Sequence, residues 1–185
     1  MSEKTYLGWP FFDDAHRDLE QRLDAWASEH MPALTANEHH DLDGTCVAIV
    51  RALGEAGFAG YAVPASGGGN LEKLDVRTLC VIRETLARHN ALADFAFAMQ
   101  GLGSGPVSLF VNTEQQANYL TAVAKGEKIA AFSLSEPNAG SDVAAMACSA
   151  RRDGDEWVLN GTKTWISNGI KGNCLAVLTK TDPSA

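Results

Sequence analysis

The chain has 185 residues, 45% of them hydrophobic and 21% charged. That is enough apolar material for a sizeable core in one domain or two small ones, and it excludes a disordered or collagen-like chain. Fifteen basic against twenty-three acidic side chains leave a net charge of −8, which argues against a broad basic face for nucleic acid. No apolar run approaches the roughly 18–20 residues of a membrane span, and Met1 to Pro10 lacks the basic and apolar parts of a secretory signal, so a soluble, cytoplasmic protein is expected.

The acidity is uneven: residues 1–130 carry ten basic and seventeen acidic side chains, residues 131–185 five and six, which points to two differently built regions. Cys46, Cys80, Cys148 and Cys174 form no C-x-x-C pair, and no histidine stands at zinc-finger spacing, so the cysteines read as reduced and structural and no metal site is expected.

In chain order, the first helix opens at Asp13 or Asp14. Ala15, Leu19, Leu23 and Trp26 recur at three- and four-residue spacing, and Met31-Pro32 is expected to end it. A second helix runs from about Asp43 through Val47, Val50 and Leu53 to a glycine stop at Gly57. Pro64 and three consecutive glycines make Gly60 to Asn70 a loop. A third helix fits Asp75 to His89, with Leu79, Ile82 and Leu86 on one face. A fourth, Leu92 to about Leu102, is so apolar that it is expected to be buried all round. Thr113-x-x-Gln116 has the capping-box pattern for a fifth helix through Tyr119, Leu120 and Val123, closed by Gly126.

Beyond Gly126 the texture changes to short, partly alternating runs. Ile129 to Ser135, Cys148 to Arg152, Glu156 to Asn160, Thr162 to Ser167 and Leu175 to Lys180 read as strands, with tight turns at Asp153-Gly154 and Asn160-Gly161. The fold class expected is α+β: an all-α domain over residues 1–128, then the first part of an antiparallel β-barrel or sheet over 129–185.

Several motif-like stretches have bland explanations. Gly101-Leu102-Gly103-Ser104-Gly105-Pro106 resembles a dinucleotide fingerprint, but a helix precedes it and Pro106 takes the third glycine's place, so a helix-to-helix turn is expected. His39-His40 reads as a solvated loop. No G-x-S-x-G elbow, H-E-x-x-H pair or Walker loop is present.

The informative stretch is Phe132-Ser133-Leu134-Ser135-Glu136-Pro137-Asn138-Ala139-Gly140-Ser141-Asp142. A strand ends at Ser135, the chain turns through Pro and Gly, and Asp142 is placed to cap a short helical turn over Val143 to Met146. Backbone N–H groups and hydroxyls converge there, a chemistry suited to pyrophosphate or carbonyl oxygens. A second cluster, Trp165-Ile166-Ser167-Asn168-Gly169, pairs a flat indole with a hydroxyl, which suits a heteroaromatic ring.

Together these two clusters resemble the acyl-CoA dehydrogenase family. Leu134 to Asp142 matches the family's signature of an aliphatic residue, Ser or Thr, Glu, and a small-Gly-[Ser/Thr]-Asp ending; Trp165 to Gly169 matches its Trp-Ile-[Ser/Thr]-Asn-Gly. Gly57 to Gly60 with Val63-Pro64, Asn112 to Gln116 with Tyr119-Leu120, and Asn160 to Lys163 fit the same pattern in order. Two departures are Ser133, where Gly, Ala or Cys is usual, and Ser167, where threonine is commoner.

The resemblance implies that 129–185 is the start of a flavin-binding middle domain. It implies FAD contacts from Phe132, Ser133, Leu134, Ser135, Trp165, Ile166 and Ser167, with the Ser167 hydroxyl at the flavin edge that receives hydride. Ser141 would contact acyl-CoA, and Glu136 would be structural. The implied reaction is α,β-dehydrogenation of an acyl-CoA thioester to the trans-2-enoyl-CoA, with electrons passed to an electron-transferring flavoprotein by a dimer or tetramer. Family members are much longer chains, and their catalytic glutamate lies in a C-terminal part absent here. A truncated chain, a non-catalytic subunit of a split flavoenzyme, and the related oxidase or flavin monooxygenase branches all stay open. Ala91 to Gly105 would adjoin the acyl pocket; it holds no Lys or Arg, which favours a neutral acyl group.

Overall fold

The computed structural model describes residues 4–182. Five helices come first: α1 Asp14–Leu34, α2 Leu42–Glu55, α3 Val76–His89, α4 Ala91–Phe110 and α5 Thr113–Ala124. Each is capped by a side chain at its start. Asp13 accepts from the amides of Ala15 and His16, Asp41 from Gly44, Asp75 from Arg77, Asn90 from Leu92 and Ala93, and Asn112 from Gln115. These bonds satisfy amides that helix geometry leaves without partners. The cap of α5 is therefore Asn112 and not Thr113; Gln116 turns back instead to the carbonyls of Ser108 and Val111.

Leu19, Leu23, Ala27 and Met31 of α1 pack with Ile49, Val50 and Leu53 of α2, Ile82 and Leu86 of α3, and Ala93, Ala96 and Phe97 of α4. Lys4, Glu20 and Asp24 meet Arg88 and His89 at the edge of this core, which fastens the N-terminal segment across α1 and α3. The second helix stops as its sequence suggests, at Gly57 with φ +80°.

Two helices outrun their expected ends. α1 continues past Pro32 to Leu34, where the Thr35 hydroxyl and amide both reach the Met31 carbonyl. In α4 the stretch Gly101 to Pro106 lies inside the helix and is not a turn. None of its glycines takes a positive φ. Gly103 is there because α4 presses on the following strand: a Cβ at that position would stand 2.6 Å from the Ala131 nitrogen.

Four strands follow: β1 Ala130–Ser133, β2 Ser149–Asp153, β3 Glu156–Asn160 and β4 Cys174–Val177. β2 and β3 form the expected antiparallel hairpin, with Gly154 at φ +61° in the turn. β1 and β4 are parallel, Ala130 opposite Cys174 and Ser133 opposite Val177, which corrects the uniformly antiparallel expectation. The chain leaves β1, makes the hairpin excursion and returns to run alongside β1 in the same direction. Reciprocal bonds of Ala150 and Cys148 with Lys180 join the two pairs.

The expected strand Thr162 to Ser167 does not form. Trp165 and Asn168 take φ values of +57° and +60°, far from the extended range a strand requires. No helix among the described residues is long and apolar enough to cross a membrane. The four cysteines are free thiols.

Candidate functional site

The two sequence clusters meet beyond the C-terminal end of β1. Thr164 N–H donates to the Ser135 carbonyl at 2.9 Å, which sets Ser135 beside the chain leading into Trp165. Glu136 follows, its side chain 6% exposed. One carboxylate oxygen accepts from Ala147 N–H at 2.7 Å. The other accepts from Cys148 N–H at 2.9 Å and from Lys163 Nζ at 2.8 Å. The Lys163 ammonium also donates to the Leu134 carbonyl at 2.9 Å. Lys163 above all, with the two amides, holds the Glu136 carboxyl down at about 2. A carboxylate so fully committed has no proton to exchange at neutral pH, so the structural part that the family resemblance implies for Glu136 fits its surroundings.

Around this anchor lie donors with no hydrogen-bond partner among the described residues: the amides of Leu134 and Ser135, the hydroxyls of Ser135, Ser141 and Ser167, and the indole N–H of Trp165. Trp165 is 92% exposed, an unusual position for so large an apolar ring. Ser133 is buried within the β1–β4 pair. Asp142 precedes a short turn over Val143–Ala145, as expected, but its side chain makes no capping bond.

Ile166, Ser167, Asn168 and Gly169 face the helices across a cleft of about 280 Å³. Its opposite wall is Leu42, Cys46 and Val50 from α2 and Leu92, Phe95 and Ala96 from α4. Asp43 and Lys171 stand at this cleft 3.9 Å apart. Burial, and secondarily Asp43, pushes the Cys46 thiol upward, which disfavours the thiolate at this wall of the cleft. Ile166 and Ser167 thus reach the cleft, whereas Phe132, Ser133, Leu134, Ser135, Ser141 and Trp165 lie outside its lining.

Neither Lys163 nor Asn168 stands out within its motif when the sequence is read alone. Asn168 Nδ2 donates to the Ala130 carbonyl at 3.1 Å, at the opposite end of β1 from Leu134. The available signal for Lys163 was its position as the one charged residue within an otherwise neutral run.

The family description "Acyl-CoA dehydrogenase, N-terminal domain" matches residues 13–127, and "Acyl-CoA dehydrogenase, middle domain" matches residues 131–185. A probable acyl-CoA dehydrogenase of Mycobacterium tuberculosis, FadE25, is 33% identical over 185 residues, covering 96% of this chain and 47% of its own. The short-chain specific acyl-CoA dehydrogenase of Bos taurus mitochondria is 37% identical, covering 92% of this chain and 41% of its own. An acyl-CoA dehydrogenase of Bacillus anthracis, solved in complex with FAD, superposes with a TM-score of 0.72 at 36% identity, covering 85% of this chain and 27% of that one. The chain spans about half the length of the curated relatives it matches.

Proposed function

The chain belongs to the acyl-CoA dehydrogenase family, and we propose from that premise that it carries part of the site for α,β-dehydrogenation of an acyl-CoA thioester to the trans-2-enoyl-CoA. On this reading residues 1–128 are the N-terminal helical domain and 129–185 belong to the flavin-binding middle domain. The observation that carries it is the stitching of Ser135 to Thr164 at 2.9 Å, which gathers unpartnered donors and an exposed indole into one neighbourhood.

That donor set fits FAD. A flavin edge presents nitrogens and carbonyl oxygens, and Ser135 N–H and the Ser167 hydroxyl are free to meet them. The Trp165 indole offers a flat apolar face. Phe132, Leu134 and Ile166 would contribute through the backbone, while Ser133, buried and with its carbonyl already taken by Leu178 N–H, would support the site from within the strand pair. Ser141, exposed and unpartnered, would meet acyl-CoA. FAD, when bound, supplies the acceptor for the hydride leaving the substrate's β-carbon. No residue of this chain is assigned as the base for the α-proton. Electrons would pass on to an electron-transferring flavoprotein.

The cleft supports a neutral acyl group. Its wall is largely apolar, and the one cation lining it, Lys171, faces Asp43, so a second carboxylate on the substrate would find no free counter-charge there.

Protein isolated from its source under native conditions tests the proposal. Flavin absorbance is expected to bleach anaerobically on adding butyryl-CoA, and more slowly with glutaryl-CoA. Peroxide release in air would move the protein to the oxidase branch, and a preparation with neither bound FAD nor affinity for it would overturn the proposal. Ser167→Ala is expected to slow flavin reduction more than it weakens FAD retention; equal effects would leave that hydroxyl only a packing role.

A further inference from the structure

Trp165 and Asn168 both stand in the left-handed region. For asparagine this conformation is common, whereas for a bulky tryptophan it is strained and persists only where the surroundings over-determine it. Two side chains do that here. Before the loop, Lys163 reaches the Leu134 carbonyl at 2.9 Å and Glu136 at 2.8 Å, and its own side chain is 10% exposed. After it, Asn168 reaches the Ala130 carbonyl at 3.1 Å. The carbonyls they hold, Ala130 and Leu134, bracket β1. Within the loop, Gly169 N–H donates to the Ile166 carbonyl at 3.0 Å and Gly172 N–H to the Asn168 carbonyl at 2.6 Å.

We propose that Lys163 and Asn168 clamp the Trp165–Ser167 loop to the two ends of β1 and act as positioning residues for the cofactor site. Neither needs to touch the cofactor. Each fixes where the indole and the Ser167 hydroxyl stand relative to the Ser135 amide. The inference rests on the FAD reading above for its functional half, while the clamp itself is a property of the chain alone.

Asn168→Asp tests one foot, because aspartate keeps the shape and the tolerance for positive φ but cannot donate to Ala130. Lys163→Met tests the other. Since it strands Glu136 as a buried, unpaired carboxylate, the neutral pair Lys163→Met/Glu136→Gln accompanies it, with Lys163→Arg as the conservative rescue. Amide exchange by NMR on the 185-residue chain is expected to accelerate at Gly169 in Asn168→Asp, and at Thr164 in the neutral pair, by about tenfold, as for one lost buried hydrogen bond. The Asn90 amide, bonded to the Leu86 carbonyl at the end of α3, should keep its protection. FAD affinity should fall by a comparable factor in both variants, and Lys163→Arg should restore it. Unchanged exchange at Thr164 and Gly169 would overturn the clamp. Faster exchange with unchanged FAD affinity would overturn its positioning role. Wild-type protein isolated from its source that takes up no FAD would overturn the functional reading instead, with exchange still deciding the clamp.

Discussion

Glu136 shows how much one side chain can fix. Two amides and an ammonium converge on its carboxylate, so three stretches of chain, the exit from β1, the entry to β2 and the approach to Trp165, depend on its being charged. Its carboxyl is depressed from an ordinary 4.5 to about 2. Its contribution is therefore complete above 4.5 and is lost as pH falls from there toward 2. Asp75, held down from 3.8 to about 2 chiefly by Arg77, acts in an overlapping window, so the wild-type curve alone does not separate them. We expect Glu136→Gln to lower the melting temperature at neutral pH, because one carboxylate oxygen is replaced by an amide NH2 that faces the Ala147 or Cys148 N–H donor. The same variant should flatten the acid slope relative to wild type. Melting followed by circular dichroism across that range checks both, and a parallel pair of curves would mean that Glu136 is not the group responsible.

Among the elements, helix α4 and the segment after β3 show where sequence patterns mislead. Amphipathic spacing made α1, α2 and α3 legible, and the Asp153-Gly154 step gave the β2–β3 hairpin directly. The glycines of Gly101 to Gly105 suggested a turn because glycine commonly supplies positive φ. Here close approach to β1 explains Gly103, and only three-dimensional packing reveals that. Thr162 to Ser167 alternates like a strand, yet Lys163 and Asn168 draw it into a clamped loop through contacts with residues about thirty to forty positions earlier, which no local pattern encodes. The site motifs themselves were legible as sequence; their mutual placement was not. The glycines of α4 also separate by prediction. Gly105 has open space where a Cβ would go, so Gly105→Ala should stabilise by up to about 1 kcal/mol through helix propensity. Gly103→Ala would put a methyl 2.6 Å from the Ala131 nitrogen and 2.8 Å from the Ala130 Cβ, and overpacking of that kind costs about 1–3 kcal/mol. Urea midpoints should shift in opposite directions, and stabilisation by both would show that α4 does not press on β1 as closely as described.

At the scale of the whole molecule, the helical layer and the strands are joined through Gln100. It is fully buried in α4, a helix whose apolar composition gave the sequence no reason to single out one amide. Its Oε1 accepts from Ala130 N–H at 2.9 Å, and its Nε2 donates to the Lys128 carbonyl at 2.8 Å. Both partners belong to the chain that enters β1, so the amide fixes the height of that strand against the helices, and with it the Leu134–Glu136 end of the site. Gln100→Leu would leave a buried N–H and a buried C=O without partners, at about 1–3 kcal/mol each. Gln100→Glu is the more discriminating change. Its carboxylate could still accept from Ala130, but its second oxygen would face the Lys128 carbonyl, and burial would disfavour the charge as well. Protonation removes that charge and supplies an O–H that can donate to the same carbonyl. The folded-state pKa of the new carboxyl is therefore raised, and its destabilisation should be largest at neutral pH and recede as pH falls through that value. This slope has the opposite sign to that of Glu136. If Gln100→Glu lost stability on acidification in parallel with wild type, the Lys128 contact would not be what holds β1 in place.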